Sequence, residues 1–433
     1  MAWFHPVPRK IAGHVRCLGL CHAGIETERS EGERHPTNRG LSERADTLVW
    51  SENATISPNY GRIESGIWWT MGPEKPSYFW ELTTGTVLVL VLLLTLVTRV
   101  VAQGFEPPQR IAFQISTGST TGTYFPVGQL LAQLLSHPPG VGRCETVAVC
   151  GPTGLIVSAR ASEGSVANVN AVDSGSVSSG LAQADVVALA VTGQGPFRKT
   201  GPAKQLRVIA NLYGEDVHLI AAKTSKIKSV ADLKGKRVSL STEGSGTIIT
   251  ARAILTAYRL SEKSIVPNYD SAEKATDLLQ SGKLDAIFYV GGTPVNLIQQ
   301  MLDENVAVLI PIDGDGRKRL LSRQPYLSAH VIPQGTYMGA PGVDTVSVDA
   351  LWITDLGEPD NLIYGIVKGL YNPANRAALM SERVGTHFIG LDAAANNATA
   401  PLHPGSARYF TEVGVLKPAQ NIPPATSLPA RRP

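Results

Sequence analysis

Cysteine occurs only four times in 433 residues, and the formal net charge is no more than +3. So small a charge gives no long-range pull on nucleic acid or an anionic membrane surface, and no nucleic-acid partner is expected. Cys17 and Cys21 form CLGLC, which matches neither a zinc ribbon nor a CxxC redox motif. Nucleotide fingerprints are missing: GQGPFR, GSGTII and GDGRKR each break the last required position of GxGxxG, and there is no P-loop. HExxH is absent, and DGDG from Asp313 to Gly316 lacks the EF-hand ligand spacing and reads as a turn. EGSGT is not the GxSxG elbow that exposes an esterase serine, so no triad can be argued. The expectation is a protein without catalytic residues, metal or cofactor.

What the chain does have is apolar material: 43% of its residues are hydrophobic, enough to build a core in each of two lobes at this length. Its 42 glycines and 29 prolines are spread without a collagen-like period, which suits many tight turns between short elements of an α/β protein. No short fixed repeat is present, which argues against solenoids and propellers. Cys144 and Cys150, in RCETVAVC, are close enough to bridge across a small loop, a ring worth about 2 kcal/mol of loop-closure entropy in an oxidising compartment. The alternative is two reduced thiols.

From Thr83 to Thr98 runs TTGTVLVLVLLLTLVT, uncharged and strongly apolar. As a helix it would span about 24 Å, short of the roughly 30 Å hydrocarbon core but suited to the apolar region of a signal peptide. Val100 and Ala102 occupy the small-residue positions of a cleavage site, so a mature chain would start at Gln103. The basic flank is weak, since Lys75 is offset by Glu74 and Glu81; uncleaved anchoring by residues 83–101 is the alternative. The first 70 residues, rich in Arg, Glu, His, Gly and Ser, show no sustained apolar period and read as disordered or not translated at all, and Met71 is an attractive alternative start.

Beyond residue 103 one unit recurs: strand, Gly/Ser/Thr loop, helix. RIAFQIS alternates Ile111, Phe113 and Ile115 on one strand face. GSTTGTYF follows, with Pro126 opening a helix whose apolar face carries Val127, Leu130, Leu131, Leu134 and Leu135. Strand Arg237–Ser241, loop Thr242–Thr247 and a helix bearing Ile248, Ala251, Leu255 and Tyr258 form the second copy. Strand Leu284–Val290, the turn GGT and a helix opened by Pro294 form another. SAEKATDLLQSG reads as a helix capped by Ser271 and stopped by Gly282. EGSVANV reads as a helix capped by Ser165 with Val166, Val169 and Val172 inward, and DVVALA reads as a strand. VSVDALWIT is a strand, PDNLIYGIVKGLY an amphipathic helix, and IPPATSLPARRP a flexible tail. Alternating strands and helices imply mainly parallel sheets, with ligand sites beyond the carboxyl ends of the strands.

Together STGSTTGTYFPVG, EGSVANV, LAQADV, ADLKGKRVSLSTEGSGT, LDAIFYVGGTP and PLHPGSARYF resemble the TRAP-associated extracytoplasmic immunogenic (TAXI) solute-binding proteins, over about residues 108 to 416. The resemblance implies a type II periplasmic-binding-protein fold: two α/β lobes joined by crossing hinge strands, with a ligand cleft between. It also implies a periplasmic monomer that binds a small anionic solute, such as a glutamate-like carboxylate, and serves the separate membrane subunits of a TRAP transporter. The corresponding division is an extension at 1–82, a signal or anchor at 83–102, lobe 1 at 105–215 and 340–416, lobe 2 at 216–339, and a tail at 417–433.

In such a cleft, backbone N–H groups at helix starts would meet a carboxylate, each terminus contributing about 0.3 to 2 kcal/mol. An arginine would add charge selectivity. On the first lobe the expected ligand contacts are Gly118, Ser119, Thr120, Gly122 and Tyr124, with Ser165 and Asn168 at the second loop. Tyr124 packing under its loop and Ser165 only capping its helix are the plainer readings. On the second lobe they are Ser245, Gly246 and Thr247, with Tyr289 and Gly292; ordinary turn chemistry is the alternative there. Gln183, just before DVVALA, and Asp185, which opens it, rank below the loops, since a solvated loop explains them nearly as well.

Overall fold

The computed structural model describes residues 85–95, 110–138, 151–380 and 389–417. The Cys144–Cys150 pairing, the cleavage site at Val100 and Ala102, and the tail beyond residue 417 lie outside them. Residues 85–95 form helix α1, whose side chains from Val87 to Leu94 are exposed. No helix among the described residues is long and apolar enough to cross a membrane.

Among the described residues ten strands form one continuous sheet, in the order β2-β1-β3-β10-β4-β7-β5-β6, with β8 on β4 and β9 on β10. Strands β1 (Ile111–Ser116), β2 (Leu155–Arg160) and β3 (Ser179–Gln183) are parallel. So are β5 (Arg237–Ser239), β6 (Val266–Asn268) and β7 (Ala286–Gly291). Two long strands run antiparallel to their neighbours through both sets: β4 (Leu206–Ala222) and β10 (Val343–Asp355). The second half of β4 holds β7 and β8 (Ala307–Ile310), while β10 takes β9 (Leu327–Ile332) on its first half and β3 on its second. These crossing strands divide the molecule into two α/β lobes with a cleft between. LRVIANLYGEDVHLIAA of β4 is buried almost throughout, as befits a strand covered on both faces.

Helices α2 (Tyr124–Leu135), α3 (Ser165–Asp173), α4 (Ala184–Thr192), α9 (Asp360–Leu370), α10 (Arg376–Leu379) and α11 (Pro404–Glu412) belong to the lobe of β1–β3. The other lobe carries α5 (Thr247–Ala257), α6 (Ala272–Gln280), α7 (Asn296–Asp303) and α8 (Gly314–Arg323). The core beneath α2, α9 and α11 is anchored by Trp352, fully buried, edge-on to Phe113 at 6.2 Å and donating Nε1–H to Ser179 Oγ at 3.0 Å. A second core is continuous across the crossing strands: Val186, Val187 and Ala190 of α4 share it with Ile254, Leu255 and Leu320 of α5 and α8.

Several local expectations need correction. DVVALA is helical, not extended: the strand is the preceding SGLAQ, and α4 ends at Gly193, whose φ of +63° terminates it. A short apolar run has no period that separates strand from buried helix. Helix α2 starts at Tyr124, which places Pro126 third, where its missing N–H is still one the helix would leave unpaired. Helix α7 opens at Asn296, after Pro294, because Thr293 donates its hydroxyl to Asp216 (2.6 Å) and Val295 its N–H to the Tyr337 hydroxyl (3.1 Å). Gly164, at φ +119°, is the N-cap of α3 in place of Ser165.

Candidate functional site

A cavity of about 280 Å³ lies between the lobes. Four helix starts meet on it: Thr123 and Tyr124 of α2, Gly164 and Ser165 of α3, Gly246 and Thr247 of α5, and Ser271 and Ala272 of α6. Two come from each lobe, and N-terminal amides with the positive end of the helix dipole make such points receptive to negative charge.

Ten of the fourteen residues expected from the sequence line this cavity: Gly118, Ser119, Gly122 and Tyr124 from the first loop, Ser165 and Gln183 behind it, and Ser245, Gly246, Thr247 and Tyr289 opposite. Ser165 Oγ accepts the N–H of Gln183 (3.1 Å), so it couples α3 to the end of β3. Ser245 donates its hydroxyl to the carbonyl of Thr242 (2.8 Å), and Thr247 Oγ1 accepts the N–H of Val290 (3.2 Å). Both hydroxyls hold loop geometry.

The structure places the other four elsewhere. Asn168 is fully buried beneath the loops; its amide donates to the carbonyls of Thr117 and Leu181, and its carbonyl accepts from Ser116 and Ser162. It fastens the first loop to α3 and β3. Thr120 faces a different groove, bounded by α2 and the start of α7. The N–H of Gly292 donates to Thr123 Oγ1 (3.1 Å), a contact across the cleft. Asp185 opens onto a separate cavity of about 360 Å³ between α4, α5 and α8. Its carboxyl is raised to about 6 by burial, against hydrogen bonds from Thr250 and the N–H of Val186.

The lobes are closed. The N–H of Ala167 donates to the carbonyl of Gly244 (3.0 Å), and the hydroxyls of Ser119 and Thr121 donate to Glu273 at the start of α6. Burial works to raise the Glu273 carboxyl, but these hydroxyls outweigh it and bring it down to about 2. Gly246 sits at a close approach: a Cβ there would stand 2.2 Å from Gln183 Oε1 and 2.7 Å from Ser165 Oγ, both on the opposite lobe, so these side chains would have to shift.

The acidic residues of the cavity were not foreseen. Glu163, Glu215 and Glu273 line it, and no Lys, Arg or His is among the described residues that do. Glu215 is 1% exposed and accepts the Tyr124 hydroxyl at 2.8 Å. Burial raises its carboxyl to about 8; Asp185 and Asp216 push it the same way, while Tyr124 and Thr123 oppose. Burial also raises Tyr124, Tyr213 and Tyr289, each in addition repelled by Glu215. One signal could have found Glu215: GED interrupts an otherwise apolar run long enough to be a central strand.

Residues 115–414 match the model of the NMT1-like family, well over half of the chain. The chain belongs to the NMT1-like family. Solved structures similar to this member include MatC of Rhodopseudomonas palustris with bound malate, at 13% identity over 71% of this chain and 98% of that one, TM-score 0.43. The alkanesulfonate-binding protein SsuA of Xanthomonas axonopodis pv. citri bound to MOPS is 16% identical, over 72% and 82%, TM-score 0.38. The periplasmic aliphatic sulphonate binding protein SsuA of Escherichia coli is 16% identical, over 72% and 89%, TM-score 0.35.

Proposed function

We propose that this NMT1-like protein is an extracytoplasmic solute receptor that binds a small carboxylate or amino acid, glutamate-like in size, and hands it to separate membrane subunits of a TRAP-type transporter. The observation that carries the reading is the meeting of four helix starts, two per lobe, on one cavity. Each terminus contributes about 0.3 to 2 kcal/mol toward an anion, so together they supply much of the roughly 8 kcal/mol of a micromolar complex. At about 280 Å³ the space sits at the lower bound of ordinary ligand pockets and suits a solute of few atoms. The lobes, 105–215 with 340–416 and 216–339, would open and close on the crossing strands, and the apolar run at 83–102 would direct export to the periplasm. Native mass spectrometry of the purified protein tests this directly: a co-purified small carboxylate or amino acid, lost on denaturation, is the expected result.

A second reading is a membrane-tethered sensor or surface antigen with the same fold. It is favoured by α1, whose apolar side chains from Val87 to Leu94 are exposed. Recovery of full-length protein in the membrane fraction, released by removal of residues 83–102, would select it.

A further inference from the structure

The receptor reading leaves the carboxyl wall without a task, and the inference drawn from it rests on that reading. A buried carboxyl is stable in one of two ways: it meets a cation, or it keeps its proton. Glu215 sits at the middle of β4, where the chain crosses between lobes, with its side chain in the cavity. Every titratable group set against it from the packed elements is acidic or phenolic: Tyr124 of α2, Tyr213 of β4 itself, Tyr289 of β7, and Asp185 of α4. Asp216 follows Glu215 in the strand and so points to the other face, where His330 Nδ1 lies 2.6 Å from it and Thr293 donates to it. Glu163 and Glu273 share the cavity wall itself. None of these supplies positive charge to Glu215.

A second observation points the same way. Gln183 is 3% exposed and lines the cavity; the Thr250 hydroxyl lies 3.4 Å from its Oε1 but gives its proton to Asp185 at 3.0 Å, and the hydrogen bonds among the described residues include none donated by the Gln183 amide nitrogen. The cavity wall therefore carries an amide donor and a buried carboxyl, besides the four helix starts. That is a site with two signs of demand: an anion for the helix starts and Gln183, a cation for Glu215.

We infer that the cleft selects solutes carrying a primary ammonium group beside a carboxylate, with Glu215 as the residue that receives the ammonium and discriminates against the same acid without its amine. The exchange balances simply. In the empty cleft Glu215 is a neutral carboxylic acid hydrogen-bonded by Tyr124; an R–NH3+ group enters, the O–H bond of Glu215 breaks, its proton leaves to solvent, and a carboxylate–ammonium pair remains. No covalent bond forms between solute and protein.

The test is isothermal titration calorimetry of the full chain against three pairs: L-glutamate with glutarate, L-aspartate with succinate, and L-leucine with 4-methylpentanoate. Titrations are repeated in two buffers of different ionisation enthalpy at pH 7. The expected result is that at least one amine-bearing member binds ten times or more tighter than its partner and releases close to one proton. Glu215→Gln is expected to fold, because it mimics the protonated side chain, and to bind the same amino acid at least tenfold more weakly with no proton release. An amine-free acid that binds as tightly as its partner overturns the inference and leaves the receptor reading standing; so does unchanged proton release in Glu215→Gln. A panel in which neither member of any pair binds overturns both.

Discussion

Replacing Glu215 with glutamine should change how the empty protein's stability depends on pH. Glu215 titrates at about 8 in the folded chain against 4.5 for an ordinary glutamate. A carboxyl raised in this way contributes its stability fully below the unfolded value and loses it as pH rises through the folded one, because the unfolded chain sheds the proton first. The whole loss is about 5 kcal/mol, spread at about 1.4 kcal/mol per pH unit between about 4.5 and 8, with no further change above. Glutamine keeps the neutral shape and has no proton to lose. Asp185, also raised by burial, adds a loss of the same sign nearer pH 6, but it is present in both proteins and cancels in the comparison. At about 2 °C per kcal/mol for a folded body of this size, Glu215→Gln should gain on the wild type by about 10 °C in Tm between pH 4.5 and pH 8. Ligand-free protein, prepared by unfolding and refolding, would be melted by circular dichroism at half-unit pH steps. A Tm difference that stays flat from pH 4.5 to 8 would refute the argument, since it would mean that Glu215 is ionised in the fold at no cost.

Further outcomes can be checked in the same way. Gly246→Ala places a methyl where Gln183 Oε1 and Ser165 Oγ stand, so closure should fail: affinity for the co-purified solute falls tenfold or more by calorimetry, while the ligand-free Tm moves little. Tyr124→Phe removes the hydroxyl that lowers the Glu215 carboxyl, and the midpoint of the pH-dependent stability loss should move upward. Glu273→Ala breaks the bond between the first loop and α6, and small-angle scattering should show a larger radius of gyration without ligand; no change would mean that other interlobe contacts suffice. Trp352→Ala deletes a large, fully buried side chain, together with its bond to Ser179, and should cost about 3 to 5 kcal/mol by urea denaturation.

The glycine loops were legible because their information is local. A strand of period two, a run of Gly, Ser and Thr, and a helix of period 3.6 can be read from neighbouring residues, as at Ile111–Ser116 through Leu135. That the loops share a cavity depends on the crossing strands, and the sequence suggested this through the TAXI resemblance rather than through any residue pattern. Asn168 and Asp185 show the limit: both lie at the expected junctions, but which way a side chain turns from a helix start is set by partners far along the chain, Thr117 and Leu181 for one, Thr250 for the other. Glu215 was hidden for a different reason. A carboxyl in a strand is solvated in most sheets, and its burial follows only once β10 and β7 are seen on either side of β4.

The antiparallel pair formed by β4 and β10 also has a mechanical consequence. When two bodies swing about a shared ribbon, points far from it travel and points on it hardly move. Glu215 is on that ribbon, whereas Ser119, Gly246 and Glu273 lie off it. A guest could dock first on the still centre and be enveloped afterward, and a change of charge at the pivot would be felt by both halves at once.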